Sequence, residues 1–168
     1  MSDRIWAPWR MQYIRSPKPA ETGCVLCERA KLPPSKEGLV LAHVGRAYVV
    51  LNRYPYAAGH VMVVPDAHVA RLSDLDPSES DELFRLVRST TTCLESALKC
   101  DGLNVGMNLG RAAGAGIEGH LHVHVVPRWV GDLNFMPVIG DVHVLPEHLD
   151  ETWDHLAPAF RAMQGTGP

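Results

Sequence analysis

The stretch GHLHVHVVPRW, residues 119–129, places three histidines at alternate positions of an otherwise apolar run. This alternation is typical of a β-strand, in which successive side chains point to opposite faces. His120, His122 and His124 are therefore predicted to form a row, with the intervening leucine and valines pointing into a core. Same-face positions lie roughly 6.6 Å apart along a strand, so one small ion could join two neighbouring imidazoles more readily than all three.

Two valine-rich runs upstream predict a β-hairpin. Residues 47–52 (AYVVLN) and 60–65 (HVMVVP) each have the length and composition of a strand, and Pro55 and Gly59 lie between them. Residues 103–108 (LNVGMN) return to alternation after an intervening helical segment and predict a third strand before the histidine strand.

An amphipathic helix is predicted to follow Asp76. Asp76, Pro77 and Glu79 form a cap-like start and Gly102 a stop. A second helical pattern lies near the C-terminus. The apolar positions of the two patterns are Leu83, Leu86, Val87, Leu94, Ala97 and Leu98, and then Leu149, Trp153, Leu156 and Phe160. This order of elements predicts an α+β fold, with one long helix and a C-terminal helix packed on an antiparallel twisted sheet.

The length of 168 residues favours a single domain over 1–168, with an N-terminal arm (1–40), a core (41–130) and a C-terminal extension (131–168). The composition is that of an ordinary globular protein, and a membrane span is not expected. A net charge of −3 disfavours general nucleic-acid binding. Because the N-terminus lacks the layout of a secretory signal, we expect a cytoplasmic location without disulfides.

A glycine-rich loop, GRAAGAGIEG (110–119), leads directly into the histidine strand. Its four glycines could turn backbone N–H groups toward one point and bind phosphate oxygens, although such a loop can also be a plain connection. It matches neither the P-loop nor the dinucleotide-binding motif. A phosphate beside an imidazole favours nucleophilic phosphoryl or nucleotidyl transfer. A histidine-x-histidine metal site and ordinary half-buried histidines are the alternatives.

The run His120-Leu121-His122-Val123-His124-Val125-Val126 has the pattern His-φ-His-φ-His-φ-φ, where φ is apolar, and resembles the signature of the histidine triad (HIT) family. The resemblance extends to VLNRYPYAAGHVMVVPDAH (50–68) and covers roughly residues 24–130. It implies a histidine triad-like fold. It also implies that His122 is the nucleophile that attacks a nucleotide α-phosphate, that His124 contacts the phosphate, and that His60 and His120 complete the histidine group.

The same resemblance implies a set of substrate contacts. Asn52 would contact the nucleoside, Asn108 would hold the α-phosphate or the leaving side, and the glycine loop would supply donors around Gly114, Gly116 and Ile117. Many members carry Gly-Gln-[Ser/Thr]-Val-x-His before the triad, whereas this chain has GAGIEGH and lacks the hydroxyl. GAGIEGHLHVHVVPRW, the WAPWR head and the NFMPVIGDVHVLPE tail are similar to the bacterial diadenosine tetraphosphate phosphorylases of the family.

Tryptophans near the predicted site could stack on a nucleotide base, although large aromatics more often pack in a core or an interface. Trp6, Trp9 and Trp129 are the candidates. Trp129 is favoured because it closely follows the histidine strand.

Cys24 and Cys27 form a C-x-x-C pair, which could be a redox pair, two buried thiols or half of a zinc site. The resemblance implies that His68, of a P-x-x-H motif, and His120 complete a Cys2His2 site. A closed site of this kind is structural. We therefore expect zinc to fix the arm to the histidine strand, with no metal in the chemistry.

The predicted function is cleavage of diadenosine polyphosphates, with diadenosine tetraphosphate and inorganic phosphate giving ADP and ATP through a nucleotidyl-His122 intermediate. A phosphoramidase, a polyphosphate hydrolase, a metal-dependent hydrolase and a non-catalytic nucleotide-binding protein are the alternatives. The resemblance also implies a homodimer or a larger homo-oligomer.

Overall fold

The computed structural model describes residues 23–132 and 148–164 of the chain. Within these residues, five strands form one antiparallel sheet with the order β1-β2-β3-β5-β4, and three α-helices accompany it. The elements in chain order are α1 (Val25–Ala30), β1 (Val40–Val44), β2 (Ala47–Leu51), β3 (Val61–Pro65), α2 (Pro77–Leu98), β4 (Gly102–Gly106), β5 (Val123–Arg128) and α3 (Leu149–Gln164). The predicted α+β class is confirmed.

The predicted hairpin forms the centre of the sheet. β2 and β3 pair antiparallel, with Val49 opposite Val63, and every residue of both strands is buried. β-Branched side chains suit this environment because they pack well on a pleated surface. The backbone pairing continues past β2, where the N–H of Asn52 donates to the carbonyl of His60 over 3.0 Å. This contact closes the loop that carries Asn52 and His60.

β1 and α1 are the elements of the described residues that the sequence analysis does not predict. β1 is joined to β2 by a tight turn in which Gly45 has a φ of +60°. Its five residues include the half-buried His43. α1 has only six residues, which is too short for a helical period to show.

The long helix begins as predicted, with a complete capping box. The Asp76 side chain accepts from the N–H of Ser78, and the Glu79 side chain accepts from the N–H of Asp76. Its end differs from the prediction, because the helix stops at Leu98 and Lys99 adopts a left-handed φ of +50°. Gly102 instead begins β4. In the described part of the chain, no helix has the length and apolar composition that crossing a membrane requires.

The predicted C-terminal helix is also present, and it contributes to the core. Leu156 and Phe160 of α3 are fully buried and belong to the same cluster as the sheet valines. Trp153 packs at the edge of this cluster, and its indole N–H donates to the carbonyl of Val40 over 3.4 Å. The segment predicted as an extension therefore closes the core over β1 and α2.

The histidine strand is shorter than predicted. β5 starts at Val123, so His120 and His122 precede it, and only His124 lies in the paired region. The reason is that β3 pairs with β5 only as far as Val63 opposite Val123. The chain then diverges, and the N–H of Leu121 donates to the carbonyl of Val69 instead.

Gly59 directly precedes His60, and its close packing against α2 and β5 can be tested by substitution. Its φ is +73°, and a Cβ there would lie 2.4 Å from Leu98 Cδ1 and 3.2 Å from Pro127 Cγ. We expect Gly59→Ala to lower the free energy of unfolding by about 1–3 kcal/mol through backbone strain and overpacking, as measured by urea denaturation. Gly102→Ala is the matched control, because its Cβ would meet nothing within 4 Å. Equal losses in the two variants would contradict this account.

Candidate active site

The three histidine side chains fall into two groups. The rings of His122 and His124 lie together, with centroids 4.9 Å apart, whereas the imidazole of His120 points to Cys24 and Cys27. β5 begins at Val123, so His120 and His122 lie in the segment that precedes it. The single face expected for all three histidines stays a prediction.

A fourth imidazole joins His122 and His124. His60 is fully buried, and its Nε2 lies 3.0 Å from Nδ1 of His124, with ring centroids 5.1 Å apart. His122 is 5 % exposed. The structure thus brings three of the four predicted catalytic histidines into one cluster, and His120 meets it through the backbone.

The hydrogen bonds of His60 fix the positions of its protons and those of His124. The N–H of Tyr56 donates to Nδ1 of His60 over 3.1 Å, so this nitrogen bears the lone pair. Nε2 must then carry the hydrogen and donate to Nδ1 of His124. Nδ1 of His124 is consequently an acceptor, which leaves the hydrogen of His124 on Nε2. His124 is thereby set up to present an N–H donor.

His122 has the opposite tautomer. Its Nδ1 lies 2.8 Å from the backbone carbonyl oxygen of His120, which can only accept, so Nδ1–H is the donor. Nε2 of the neutral ring therefore carries a lone pair, as a nucleophile requires. Burial lowers the pKa of His122 below its ordinary value and favours this neutral form, partly offset by the bond to the His120 carbonyl.

The pKa of His60 is lowered more strongly, to about 3. Burial is the largest cause, followed by the unfavourable interactions of a charged His60 with His124 and His122. His60 is thus neutral at physiological pH. This agrees with a ring that accepts at one nitrogen and donates at the other.

The predicted substrate contacts lie at different places around the cluster. Asn52 is nearest, with Nδ2 3.3 Å from Nδ1 of His60 and Oδ1 accepting from the N–H of Tyr54 over 3.0 Å. Asn108 follows β4. Asn108 lies two residues beyond Gly106, which pairs with His124 at the end of β4. Their roles as substrate contacts stay predictions.

The glycine loop contains a short 3₁₀ turn over Arg111–Ala113, and backbone hydrogen bonds within the loop close this turn. The N–H of Gly114 donates to the carbonyl of Arg111, and the N–H of Ala115 donates to that of Gly110. Gly110 and Gly114 have φ of +79° and +84°, which explains the need for glycine there. Gly116 and Ile117 are half-buried, and Ile117 packs against the core. The predicted phosphate cradle would require these donors to be redirected.

Of the three tryptophans predicted as candidates for base stacking, the structure describes one. Trp129 is half-buried directly after β5, and its backbone N–H donates to the Asp132 carboxylate over 3.3 Å. Trp6, Trp9 and the NFMPVIGDVHVLPE segment lie outside the described residues.

The four predicted metal ligands do converge. One ligand atom from each of Cys24, Cys27, His68 and His120 lies within 4.8 Å of the others. The Sγ of Cys27 is 3.2 Å from Nδ1 of His68 and 3.4 Å from Nδ1 of His120. Tetrahedral zinc places sulfur and nitrogen ligands roughly 3.5 Å apart, so these spacings fit zinc. This group could bind a metal ion.

The outer hydrogen bond of His120 supports the same conclusion. Its Nε2 lies 2.8 Å from the carbonyl oxygen of Pro65, so Nε2 carries the hydrogen and Nδ1 presents its lone pair to the sulfurs. Metal-bound histidines commonly donate their other N–H to a carbonyl in this way. The sequence does not mark Pro65 or Tyr56, because the carbonyl of Pro65 and the N–H of Tyr56 are backbone groups that the fold brings near the histidines.

Comparisons with known proteins decide the family. The HIT domain model matches residues 34–130. The chain belongs to the HIT family. It is 41% identical over 155 residues to the AP-4-A phosphorylase of Mycobacterium tuberculosis, covering 89% of this chain and 80% of that protein. The sequence resemblance is thereby confirmed.

Two further proteins place this HIT chain among its relatives. It is 34% identical over 105 residues to the asymmetrical bis(5'-nucleosyl)-tetraphosphatase of Schizosaccharomyces pombe, covering 62% of this chain and 56% of that protein. A zinc-bound histidine triad family protein from Mycobacterium smegmatis superposes with a TM-score of 0.66 at 23% identity, covering 86% of this chain and 98% of that chain. This second likeness shows the fold, and the predicted histidine triad-like fold is confirmed.

The pKa of His60 predicts a contribution to the pH dependence of stability. Because the folded value of about 3 lies below the ordinary 6.5, the unfolded chain takes up the proton first as the pH falls. This contribution is present above pH 6.5 and is lost as the pH falls toward 3. We plot the free energy of unfolding against pH. Near the middle of the window between pH 3 and 6.5, we expect His60→Gln to reduce the slope of this plot by about 1.4 kcal/mol per pH unit.

Urea denaturation at a series of pH values measures this slope. His155→Gln is the matched control, because His155 is exposed on α3 and should leave the wild-type slope in place. An unchanged slope in the His60 variant would show that burial does not keep this imidazole neutral.

Proposed function

We propose that this protein cleaves diadenosine polyphosphates, and that diadenosine tetraphosphate and inorganic phosphate give ADP and ATP. The observation that carries the proposal is the pair of opposite tautomers at His122 and His124, which sets a lone pair beside an N–H donor. A nucleophile and a hydrogen-bond donor for phosphate oxygens are what nucleotidyl transfer requires. The 41% identity to a protein named AP-4-A phosphorylase supports the choice of substrate.

In the first step, Nε2 of His122 attacks the α-phosphorus. A P–N bond forms, the bond from that phosphorus to the bridging oxygen breaks, and ATP leaves with the electron pair. His124 donates its Nε2–H to a phosphate oxygen and stabilises the developing charge. The bond from Nδ1 of His122 to the His120 carbonyl holds the ring as charge develops on it.

In the second step, an oxygen of inorganic phosphate attacks the same phosphorus. The P–N bond breaks, ADP forms, and the lone pair returns to Nε2 of His122. Attack by water in place of phosphate would give AMP. Asn52, Asn108, Gly114, Gly116, Ile117 and Trp129 are proposed to bind the substrate.

We further propose that Cys24, Cys27, His68 and His120 hold zinc, which fits their thiol and imidazole donors. Zinc bound there would tie the segment around α1 to the histidines, and no metal is proposed for the chemistry. A homodimer or larger assembly is also proposed, and β4 lies at an edge of the sheet where a second chain could pair. The cytoplasm is the proposed location.

The decisive experiment incubates the protein with diadenosine tetraphosphate, with and without inorganic phosphate, and separates the products by chromatography. We expect ADP and ATP only with phosphate. His122→Asn should lower the rate by at least about 10³-fold because it removes the nucleophile. His155→Asn, on the exposed side of α3, should retain the wild-type rate.

Other outcomes would contradict this proposal in distinct ways. AMP and ATP formed regardless of phosphate would establish an asymmetrical hydrolase, the activity named for the S. pombe relative. Turnover that survives in His122→Asn would refute the nucleophile. Tight AMP binding without turnover of any nucleotide would identify a binding protein.

Zinc content tests the metal proposal separately. We expect about one zinc per wild-type chain purified without chelator, because four ligands close a tetrahedral site. Cys27→Ser should weaken zinc binding by more than about 10-fold, as measured by competition with a chromophoric chelator. Cys93→Ser is the matched control, since Cys93 lies on α2 outside the group. Full activity in wild-type protein that contains no zinc would overturn the proposal.

A further inference from the structure

Tyr56 contacts the histidine cluster in two ways, and the proposed chemistry leaves it without a role. Its backbone N–H donates to Nδ1 of His60 over 3.1 Å. Its ring stacks on the His60 ring, with centroids 4.7 Å apart and planes inclined by 29°, and lies 5.9 Å from the His124 ring. One residue therefore contacts His60 through both its backbone and its side chain.

We propose that Tyr56 is a positioning residue that fixes the tautomer and orientation of His60, and through His60 those of His124, for nucleotidyl transfer. The inference rests on the proposed function, because it assigns Tyr56 to the reaction performed by His122 and His124. Tyr56 acts through another side chain and does not itself react with substrate.

The backbone contact selects the tautomer. An imidazole that accepts the Tyr56 N–H at Nδ1 must carry its hydrogen on Nε2, which is the atom that faces His124. His124 then accepts at Nδ1 and keeps its own hydrogen on Nε2. If His60 took the other tautomer, His124 would have to donate from Nδ1, and its Nε2 would lose the hydrogen proposed to stabilise the phosphate.

The ring holds this arrangement and shields it from water. Tyr56 is 42% exposed whereas His60 is 0% exposed, so the phenol ring lies between solvent and the imidazole. Within residues 23–132 and 148–164, the titratable groups that face His60 are His122, His124 and the phenol of Tyr56, and the neutral amide of Asn52 lies beside them. Removal of the ring would admit water and loosen the Tyr56 N–H contact.

The first test measures steady-state turnover of diadenosine tetraphosphate with phosphate as a function of pH. We expect Tyr56→Ala to lower kcat about 10-fold or more while KM changes less than about 3-fold, a magnitude typical of lost positioning. Hydration of His60 should raise its pKa, so the acid limb of kcat should move to higher pH. Tyr56→Phe retains the stacking ring and should behave as wild type.

Phe84→Ala is the matched control for the loss of an exposed aromatic ring. Phe84 is 44% exposed, close to the value for Tyr56, but it lies on the outer side of α2. Its variant should keep the wild-type kcat and pH profile. If Tyr56→Ala does not fold, Tyr56→Leu retains apolar bulk without a flat ring and should show the same changes.

The second test examines the protein without substrate. In ¹⁵N NMR spectra, protonated and unprotonated imidazole nitrogens differ clearly in chemical shift. We expect His60 to carry its hydrogen on Nε2 in the wild type and in Tyr56→Phe, and to show mixed tautomers or added protonation in Tyr56→Ala. Because this readout needs no turnover, it separates failure of this inference from failure of the proposed function.

Three results would overturn the inference. A raised KM with unchanged kcat in Tyr56→Ala would identify Tyr56 as a substrate contact, such as a base-stacking ring. Equal loss of kcat in Tyr56→Phe would assign the role to the hydroxyl. Unchanged His60 tautomers and an unchanged pH profile in Tyr56→Ala would show that the cluster does not depend on this residue.

Discussion

The hydrogen bond from Nδ1 of His122 to the backbone carbonyl of His120 is the contact on which the site depends. At 2.8 Å it places the hydrogen of His122 on Nδ1 and the lone pair on Nε2, and its acceptor is a backbone oxygen, so no rotamer change of His120 can remove it. The His120 side chain is held in turn, by the carbonyl of Pro65 on one side and the two cysteines on the other. The end of β3 and the segment around α1 thus hold the residue whose carbonyl orients the His122 ring.

The second chain of hydrogen bonds reaches the site from the hairpin loop. It runs from the Tyr56 N–H through His60 to His124 and leaves an N–H at Nε2 of His124. The bonds through His120 instead leave a lone pair at Nε2 of His122. Both depend on neutral imidazoles, and burial supplies that condition by lowering the pKa of His60 and His122. Burial here therefore selects a protonation pattern as well as contributing to stability.

Features with a local signal could be predicted from the sequence, and features set by distant contacts could not. The β2–β3 hairpin, the capping box at Asp76 and the alternating histidines each lie within a few residues, and the family resemblance supplied the Cys2His2 set. The approach of the His120 ring to Cys24 and Cys27 joins residues 96 and 93 positions apart, which the alternation of the histidines does not encode. The Pro65 carbonyl and the Tyr56 N–H are backbone groups, which every residue carries and which no motif marks. The stacking of the Tyr56 ring on His60 depends on the path of the loop between them.

The proton arrangement also bears on the leaving group. A neutral imidazole N–H is a good hydrogen-bond donor but a very weak acid, so His124 in this tautomer can donate a hydrogen bond but is poorly suited to deliver a proton. ATP can depart from the α-phosphorus as an anion and needs no proton for that step. An amine leaving a phosphoramidate must acquire a proton before or during departure, which would require the His60–His124 pair to reorganise. With these tautomers, the His60–His124 pair suits a polyphosphate leaving group better than an amine. The three histidines of the motif alone do not distinguish between these two classes of substrate.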